Sequence, residues 1–390
     1  PWCTQNLADL GAQVIKIERP GAGDDTRTWG PPFLRDAEGR DTSESAYFLC
    51  ANRNKQSVAI DMSSPEGAEL IREFAKSCDV VVENFKVGGL RKYGLDYESL
   101  SALNPRLVYC SVTGFGQSGP LSQRAGYDFL IQGMGGLMSI TGEPDSVAGG
   151  GPEKVGVAVT DLMAGMYATT GVLAALMERE KSGLGQHLDI ALLDCQLAML
   201  ANQSMNYLTT GIAPQRMGNA HPNIVPYQTF AASDGHVIVA CGNDSQFRSL
   251  CTAMNVPELA LDARFATNSG RSVNRAELVP QLAAVFMTRP RDAWVDALEA
   301  CGVPCGPIND IAQAFDSEQA QFRGAAREIP HPVAGVAPTV ASPLRLSATP
   351  VAYDQAPPML GQHTSAMLRD VLGMGDAQIE ALMRTGVIGG

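Results

Sequence analysis

Ser57-Val58-Ala59-Ile60-Asp61, then Ser64-Pro65-Glu66 running on to Cys78, then Asp79-Val80-Val81-Val82-Glu83: this stretch reads as strand, helix, strand. The β-branched residues of the two outer runs suit a pleated, buried surface. Between them Ser64 supplies an N-cap hydroxyl, and Pro65 takes the first helical position, where its missing N–H costs nothing. Two apolar strands joined by a helix need a crossover, which places them parallel in a sheet with helices on its faces. The alternation extends outward to apolar runs at residues 12–18, 107–112 and 186–190, with short helices ending near Gly94 and Asn104. The fold class is α/β. A helix at residues 3–10 feeding directly into the strand at 12–18 predicts a further strand ahead of Pro1, outside this sequence.

Two long helices are expected next, at residues 160–181 and 191–209. The first carries Ala, Gly, Met and Thr on all sides, a pattern that predicts burial all round. Residues 211–226, rich in Pro, Gly, Asn and His, read as a linker. Beyond it, residues 227–232 and 236–241 flank Ser233-Asp234-Gly235, a hairpin signal. Helical patterns follow at 244–254, 274–287 and 291–300. Residues 325–360 are Pro/Ala-rich and extended, and helices at 365–372 and 376–385 close the chain. The expected division is residues 1–210 as one large domain lacking its first strand, 226–325 as a small domain, and 326–390 as a return with C-terminal helices.

Lys+Arg 29 against Asp+Glu 41 leaves a net charge of −12. A chain this acidic lacks the basic face that phosphate backbones or anionic lipid require, so neither nucleic acid nor membrane is an expected partner. No apolar run approaches the roughly 18–20 residues of a bilayer span; the longest, 188–199, is interrupted by Asp189, Asp194 and Gln196. Nine cysteines without a Cys-x-x-Cys pair read as reduced thiols of a cytoplasmic enzyme. Five scattered histidines give no metal-ligand spacing, so no metal is expected.

Gly114-Phe115-Gly116-Gln117-Ser118-Gly119 follows a strand and matches a dinucleotide-binding turn, but Pro120 comes next and no helix opens where a pyrophosphate would need one. It reads instead as a loop shaping some other ligand site. Asp161 stands near the start of the long small-residue helix. There it either caps the first turn or serves as a carboxylate nucleophile in an apolar wall. Glu83-Asn84-Phe85 ends a buried-type strand, where open α/β sheets place ligands. Lys86, Arg91 and Lys92 form a basic cluster after it, and Asn52-Arg53-Asn54-Lys55 forms a second; each is either a solvated face or an anion-binding rim. His221 reads as a loop-fixing residue.

Together these segments resemble the class III CoA-transferase family, also called the CaiB/BaiF family. The resemblance rests on residues 10–20 (Leu10-Gly11-Ala12-Gln13 through Glu18-Arg19-Pro20), Asn52-Arg53-Asn54-Lys55, Glu83-Asn84-Phe85 and Gly114 to Pro120. It continues through Gly126-Tyr127-Asp128, Thr160-Asp161, Gly183-Leu184-Gly185-Gln186, Gly218-Asn219-Ala220-His221-Pro222 and Asn243-Asp244, nearly the whole chain. It implies a Rossmann-like, parallel-sheet large domain built from both chain ends, a smaller inserted α+β domain, and an interlocked homodimer.

The resemblance also implies that Asp161 is catalytic, with Tyr127 an active-site tyrosine. CoA-contacting positions fall on Arg19, Asn84, Phe85 and Lys92, the last in place of the usual arginine. No separate cofactor is implied, because the CoA thioester is itself the substrate. The reaction expected is CoA transfer from an acyl-CoA to a carboxylic acid through an aspartyl-CoA thioester. Gly218 to Tyr227 stands where formyl-CoA:oxalate enzymes carry a glycine run, and is similar to members that move CoA between succinyl-CoA and dicarboxylic acids. The alternatives are an α-methylacyl-CoA racemase and a non-enzymatic CoA-binding protein. Racemases place His where Tyr127 stands, and a phenol with an intrinsic pKa of about 10 replaces an imidazole poorly near neutrality.

Overall fold

The opening stretch folds as strand Lys55–Ile60, helix Pro65–Ser77 and strand Val80–Glu83 in a computed structural model that describes residues 1–390. Ser64 Oγ accepts the Gly67 N–H at 3.0 Å, a cap that contributes about 1 kcal/mol. The two strands do not share a sheet. Lys55–Ile60 pairs parallel with Val14–Glu18 on one edge and antiparallel with Ile388–Gly389 on the other. Val80–Glu83, Val108–Thr113 and His187–Ala191 form a second, all-parallel sheet. The C-terminal return takes the edge that a single sheet would need. His363 Nδ1 accepts the Ser57 N–H, and Thr364 Oγ1 accepts that of Ala59.

The chain forms two compact units, one of Pro1–Gly136, Gly156–Met205 and Glu318–Gly390, the other of Leu137–Val155 and Asn206–Ser317. The sequence reading kept residues 137–155 and 206–210 with the first part of the chain. They group with the second because Gly218 N–H bonds Gly142 O, while Arg216 holds the carbonyls of Ser139 and Glu143 and pairs with Asp145.

In the first unit Val58, Ile60, Leu70 and Phe74 pack with Leu368, Ile379 and Ile388 from the other end of the chain. A second cluster joins Cys3 and Leu7 to Val108, Cys110, Ala168 and Val172. The long helix Val159–Ser182 buries Thr160, Ala164, Ala168, Val172 and Ala175. Its opposite face, Met166, Thr170, Leu173 and Met177, is exposed, so burial on all sides does not hold for the single chain. The helix has 24 residues, and an 18-residue window of it reaches a mean hydropathy of 1.3, so by length and composition it is apolar enough to cross a membrane, against the expectation that no stretch would be. Packing on the parallel strands makes it a core helix.

The expected helix at 191–209 is two helices, Leu192–Met199 and Ala201–Thr210. They meet at Ala201, whose φ of 45° lies in the left-handed region. The Pro/Ala-rich segment contains an antiparallel pair, Ala326–His331 with Gly335–Val340. In the second unit Tyr227–Ala231, His236–Ala240 and Cys305–Pro307 form an antiparallel sheet over Phe230, Phe286, Trp294 and Leu250.

Candidate active site

A first-turn aspartate commonly caps its own helix. Asp161 does not. It is the third residue of Val159–Ser182, yet its carboxylate accepts no hydrogen bond and forms no ion pair. The capping role falls to Asp128, whose Oδ1 accepts the Thr160 N–H at 2.8 Å and whose Oδ2 accepts from Gln132 Nε2 at 2.6 Å. Behind it Thr160 Oγ1 donates to Gln196 Oε1 at 2.9 Å, and Gln196 Nε2 donates to Ile131 O at 2.8 Å. Thr160, Gln132 and Gln196 are fully buried, so this network fixes the start of the helix rigidly.

Asp161 keeps one side open to solvent while protein crowds the rest of its carboxyl. Burial, and then the negative charge of Asp128, push its pKa up to about 6. A carboxylate of raised basicity without a protein partner is available for chemistry. The charges reach Tyr47 as well: burial first, then Asp161, Cys50 and Asp128 raise its phenol pKa. The Tyr47 ring meets Trp29 edge-on, with centroids 4.9 Å apart.

Close backbone approach holds this helix in place. A Cβ on Gly165 would lie 2.8 Å from Trp2 Cβ and 3.3 Å from Cys3 N, so any side chain there would push away the helix Trp2–Asp9.

The other sequence-derived residues are distributed over the first unit. Tyr127 immediately precedes Asp128, so the Asp128–Thr160 bond brings its segment to the helix start beside Asp161; its ring is 72% exposed. Arg19 follows the strand Val14–Glu18, and Asn84 and Phe85 follow Val80–Glu83, each at a carboxyl strand end and each exposed. Glu83 accepts the Phe85 N–H at 2.8 Å and shapes that turn. Lys92 is exposed, with Nζ 4.6 Å from the Tyr93 ring centroid. Neither Arg19 nor Lys92 forms an ion pair; Arg91 beside it pairs with Asp96.

Both readings of the Asn52–Lys55 patch fail. Arg53 is buried and pairs with Asp9 at 2.5 Å, while Lys55 Nζ donates to Asn52 Oδ1 and Pro1 O, both at 2.9 Å. This is an internal framework. In the glycine loop, Gly114 packs against Gly126 too closely for a Cβ, and Gln117 N–H bonds Asp189. The next helix opens only at Asp128. His221 Nδ1 accepts the N–H groups of Asn223 and Ile224, the loop-fixing part expected of it.

An unpaired, partly desolvated carboxylate at a rigid helix start needs a family to give it a reaction. The model of CoA-transferase family III matches residues 1–364. The chain belongs to that family. It is 47% identical over 385 residues to the succinate–glutarate CoA-transferase of Agrobacterium fabrum, covering 99% of this chain and 93% of that protein. It is 43% identical to the succinyl-CoA:glutarate CoA-transferase of Homo sapiens, covering 100% of this chain and 86% of the relative. A crystal structure of a CaiB/BaiF family protein from Brucella suis superposes with a TM-score of 0.81 at 50% identity, over 95% of each chain.

This family III CoA-transferase therefore has a mixed α/β fold with parallel sheets, as the resemblance implied. Sequence reading missed Asp128, Tyr47 and Trp29. Asp128 stood inside the motif Gly126-Tyr127-Asp128, where attention went to the tyrosine. Tyr47 and Trp29 lie in a stretch without helical or strand periodicity, so no local signal marks them.

Proposed function

We propose that this enzyme transfers CoA from succinyl-CoA or a similar acyl-CoA to a dicarboxylic acid, with Asp161 as the nucleophile. The observation that carries this reading is the Asp161 carboxylate, free of protein partners beside a neighbouring acid that is fully occupied. The names of the relatives support the substrate class. An Asp161 oxygen attacks the donor thioester carbonyl, the C–S bond breaks, CoA departs as thiolate, and a mixed anhydride is left on Asp161. The thiolate attacks the Asp161 carbonyl, expels the donor acid and gives an aspartyl-CoA thioester. The acceptor carboxylate then attacks that thioester, forming a second anhydride and freeing the thiolate. Thiolate attack on the acceptor carbonyl releases the new acyl-CoA and restores Asp161. Positioning matters because a carboxylate is a weak nucleophile, and the Asp128–Thr160–Gln196 network supplies it. Tyr127 is assigned to the substrate side of the same site. Assaying succinyl-CoA with a panel of mono- and dicarboxylic acids tests the reading; no transfer to any dicarboxylic acid would end it.

Ionised Asp161 is the reactive form, and its pKa stands near 6. kcat/KM is therefore expected to be flat above that pH and to fall about tenfold per unit below it. A profile that stays level down to pH 5 would mean that this carboxyl does not titrate in the rate-limiting step.

Arg19, Asn84, Phe85 and Lys92 are proposed to bind CoA, from carboxyl strand ends that suit ligands in α/β folds. Arg19 forms no ion pair that must break before it takes a phosphate, although its charge is felt by Asp61. Arg19→Ala is expected to raise KM for the CoA ester about 10- to 100-fold, as a charge-assisted contact of about 1.5–3 kcal/mol implies. KM for the free acid should stay the same; an unchanged CoA-ester KM removes Arg19 from the site. The exposed stripe Met166, Leu173 and Met177 supports a homodimer, interlocked as in the family resemblance, in which this face is covered. Nine free thiols support a reducing, cytoplasmic setting.

A further inference from the structure

The second unit carries an open cavity of about 460 Å³ beside the Gly218–Tyr227 segment, and the transfer steps described for Asp161 assign no role to its lining residues. Its walls are apolar, with Pro144, Met217 and Val279 among them, and its polar groups are Arg216, Gln228 and Arg275. The two arginines differ. Arg216 is engaged on all three nitrogens, by Glu143 O, Ser139 O and Asp145. Arg275 opens the helix Arg275–Phe286 and uses only Nη2, which donates to His221 O at 2.6 Å and Pro222 O at 3.1 Å. Its Nε and Nη1 have no protein acceptor, and no carboxylate pairs with it. Burial alone lowers its pKa, with no counter-charge opposing. In a chain of net charge −12 a half-buried guanidinium without an acid is a vacancy in the charge pattern.

We propose that this cavity binds an aliphatic carboxylic acid, with the carboxylate on Arg275 and the methylene chain against Pro144, Met217 and Val279. One free guanidinium suits a single carboxylate, whose planar pair of oxygens matches two N–H donors. Apolar walls suit methylene groups and offer nothing to phosphate, which would want several cations. The site lies within the second unit and goes beyond the transfer chemistry of Asp161.

Phenylglyoxal labelling of arginines in the full chain, read peptide by peptide by mass spectrometry without CoA, tests this. Glutarate or pentanoate is expected to slow modification of Arg275 at least about fivefold, leaving exposed Arg248 unaffected. Inorganic phosphate at the same concentration should protect little. Ala276→Asp puts a negative charge in the wall at an exposed position of the first helical turn, away from the hydrophobic core, and should abolish protection. Equal labelling with and without the acids overturns the proposal, leaving Arg275 as a loop anchor. Protection that survives Ala276→Asp, or that phosphate matches, overturns it too. No turnover enters the measurement, so the result is independent of whether Asp161 performs the transfer.

Discussion

Asp161→Asn is expected to cut CoA exchange about 1,000-fold or more and to leave the fold at least as stable at pH 7.5. The first half follows from the chemistry: an amide cannot form the anhydride or carry CoA as a thioester. The second half follows from the environment. Asp161 has a raised pKa because burial and then Asp128 disfavour its charge. A carboxyl whose folded pKa exceeds its unfolded value costs stability above that pKa, and the neutral amide removes that cost. Solvent on the open side screens the gain, which should be small. Because Asp161 makes no hydrogen bond or ion pair, nothing structural is lost. Loss of activity with an unlowered Tm is thus the signature of a nucleophile. Wild-type enzyme incubated with donor acyl-CoA and then hydroxylamine should carry the label on Asp161 and not on Asp128, whose oxygens are taken by Thr160 and Gln132. Exchange above about a hundredth of wild type in the Asn variant, or label on Asp128, would sink the mechanism.

What sequence reading could see here was local. Strand–helix alternation, the Ser64 cap and the start of the long helix at residue 160 each declare themselves within a few neighbouring residues, and each is present within a residue or two. Reading Asp161 as a site candidate used the same kind of signal. Two failures share a cause, a partner outside the local stretch, and a third comes from a pattern too short to read. The two parallel strands of the opening stretch sit in separate sheets because residues 361–364 and 388–389, some 300 positions away, occupy the intervening edge. Arg53 and Lys55 look like a surface patch until Asp9 and Asn52 close over them. Residues 33–45 form a small antiparallel pair whose pattern is too short to show a period. Family resemblance gave Asp161 and Tyr127 expected roles that periodicity could not, yet it assigned none to Asp128, whose carboxylate holds the Thr160 N–H and Gln132.

The buried ion cluster around Arg27 should be the most stability-sensitive feature of the first unit. Arg27 donates Nε and Nη2 to both oxygens of Glu18 at 2.8 and 2.9 Å, and Nη1 reaches Glu44 at 3.4 Å. Nη2 also donates to Pro358 O at 3.0 Å, and the guanidinium lies 3.7 Å from the Phe48 ring centroid. One side chain thereby joins the end of strand Val14–Glu18, the strand Asp41–Ser45 and the C-terminal return. Both glutamates are almost wholly buried. Arg27→Ala leaves two inaccessible carboxylates without their cation, which costs about 3–5 kcal/mol at neutral pH. Arg27→Lys keeps the charge but loses the fork and should cost less. The pH dependence fixes the cause. Burial would raise the Glu18 pKa, but Arg27, Lys16 and Ser57 outweigh it and hold it below the ordinary value. Its stabilisation is therefore complete above the unfolded pKa and disappears as pH falls through the folded one. Without Arg27 the Glu18 carboxyl takes up a proton more readily, so the gap between variant and wild type should narrow from pH 7.5 towards pH 4.5. Urea unfolding at the two pH values measures it. A cost below about 1 kcal/mol at pH 7.5 would mean that water or Lys16 compensates the carboxylates. A gap that stays constant on acidification would mean that lost packing on Phe48, not unpaired charge, carries the effect. Because Phe48 adjoins Tyr47 and Arg27 lies two residues before Trp29, the same substitution should also loosen the aromatic pair whose tyrosine feels the charge of Asp161.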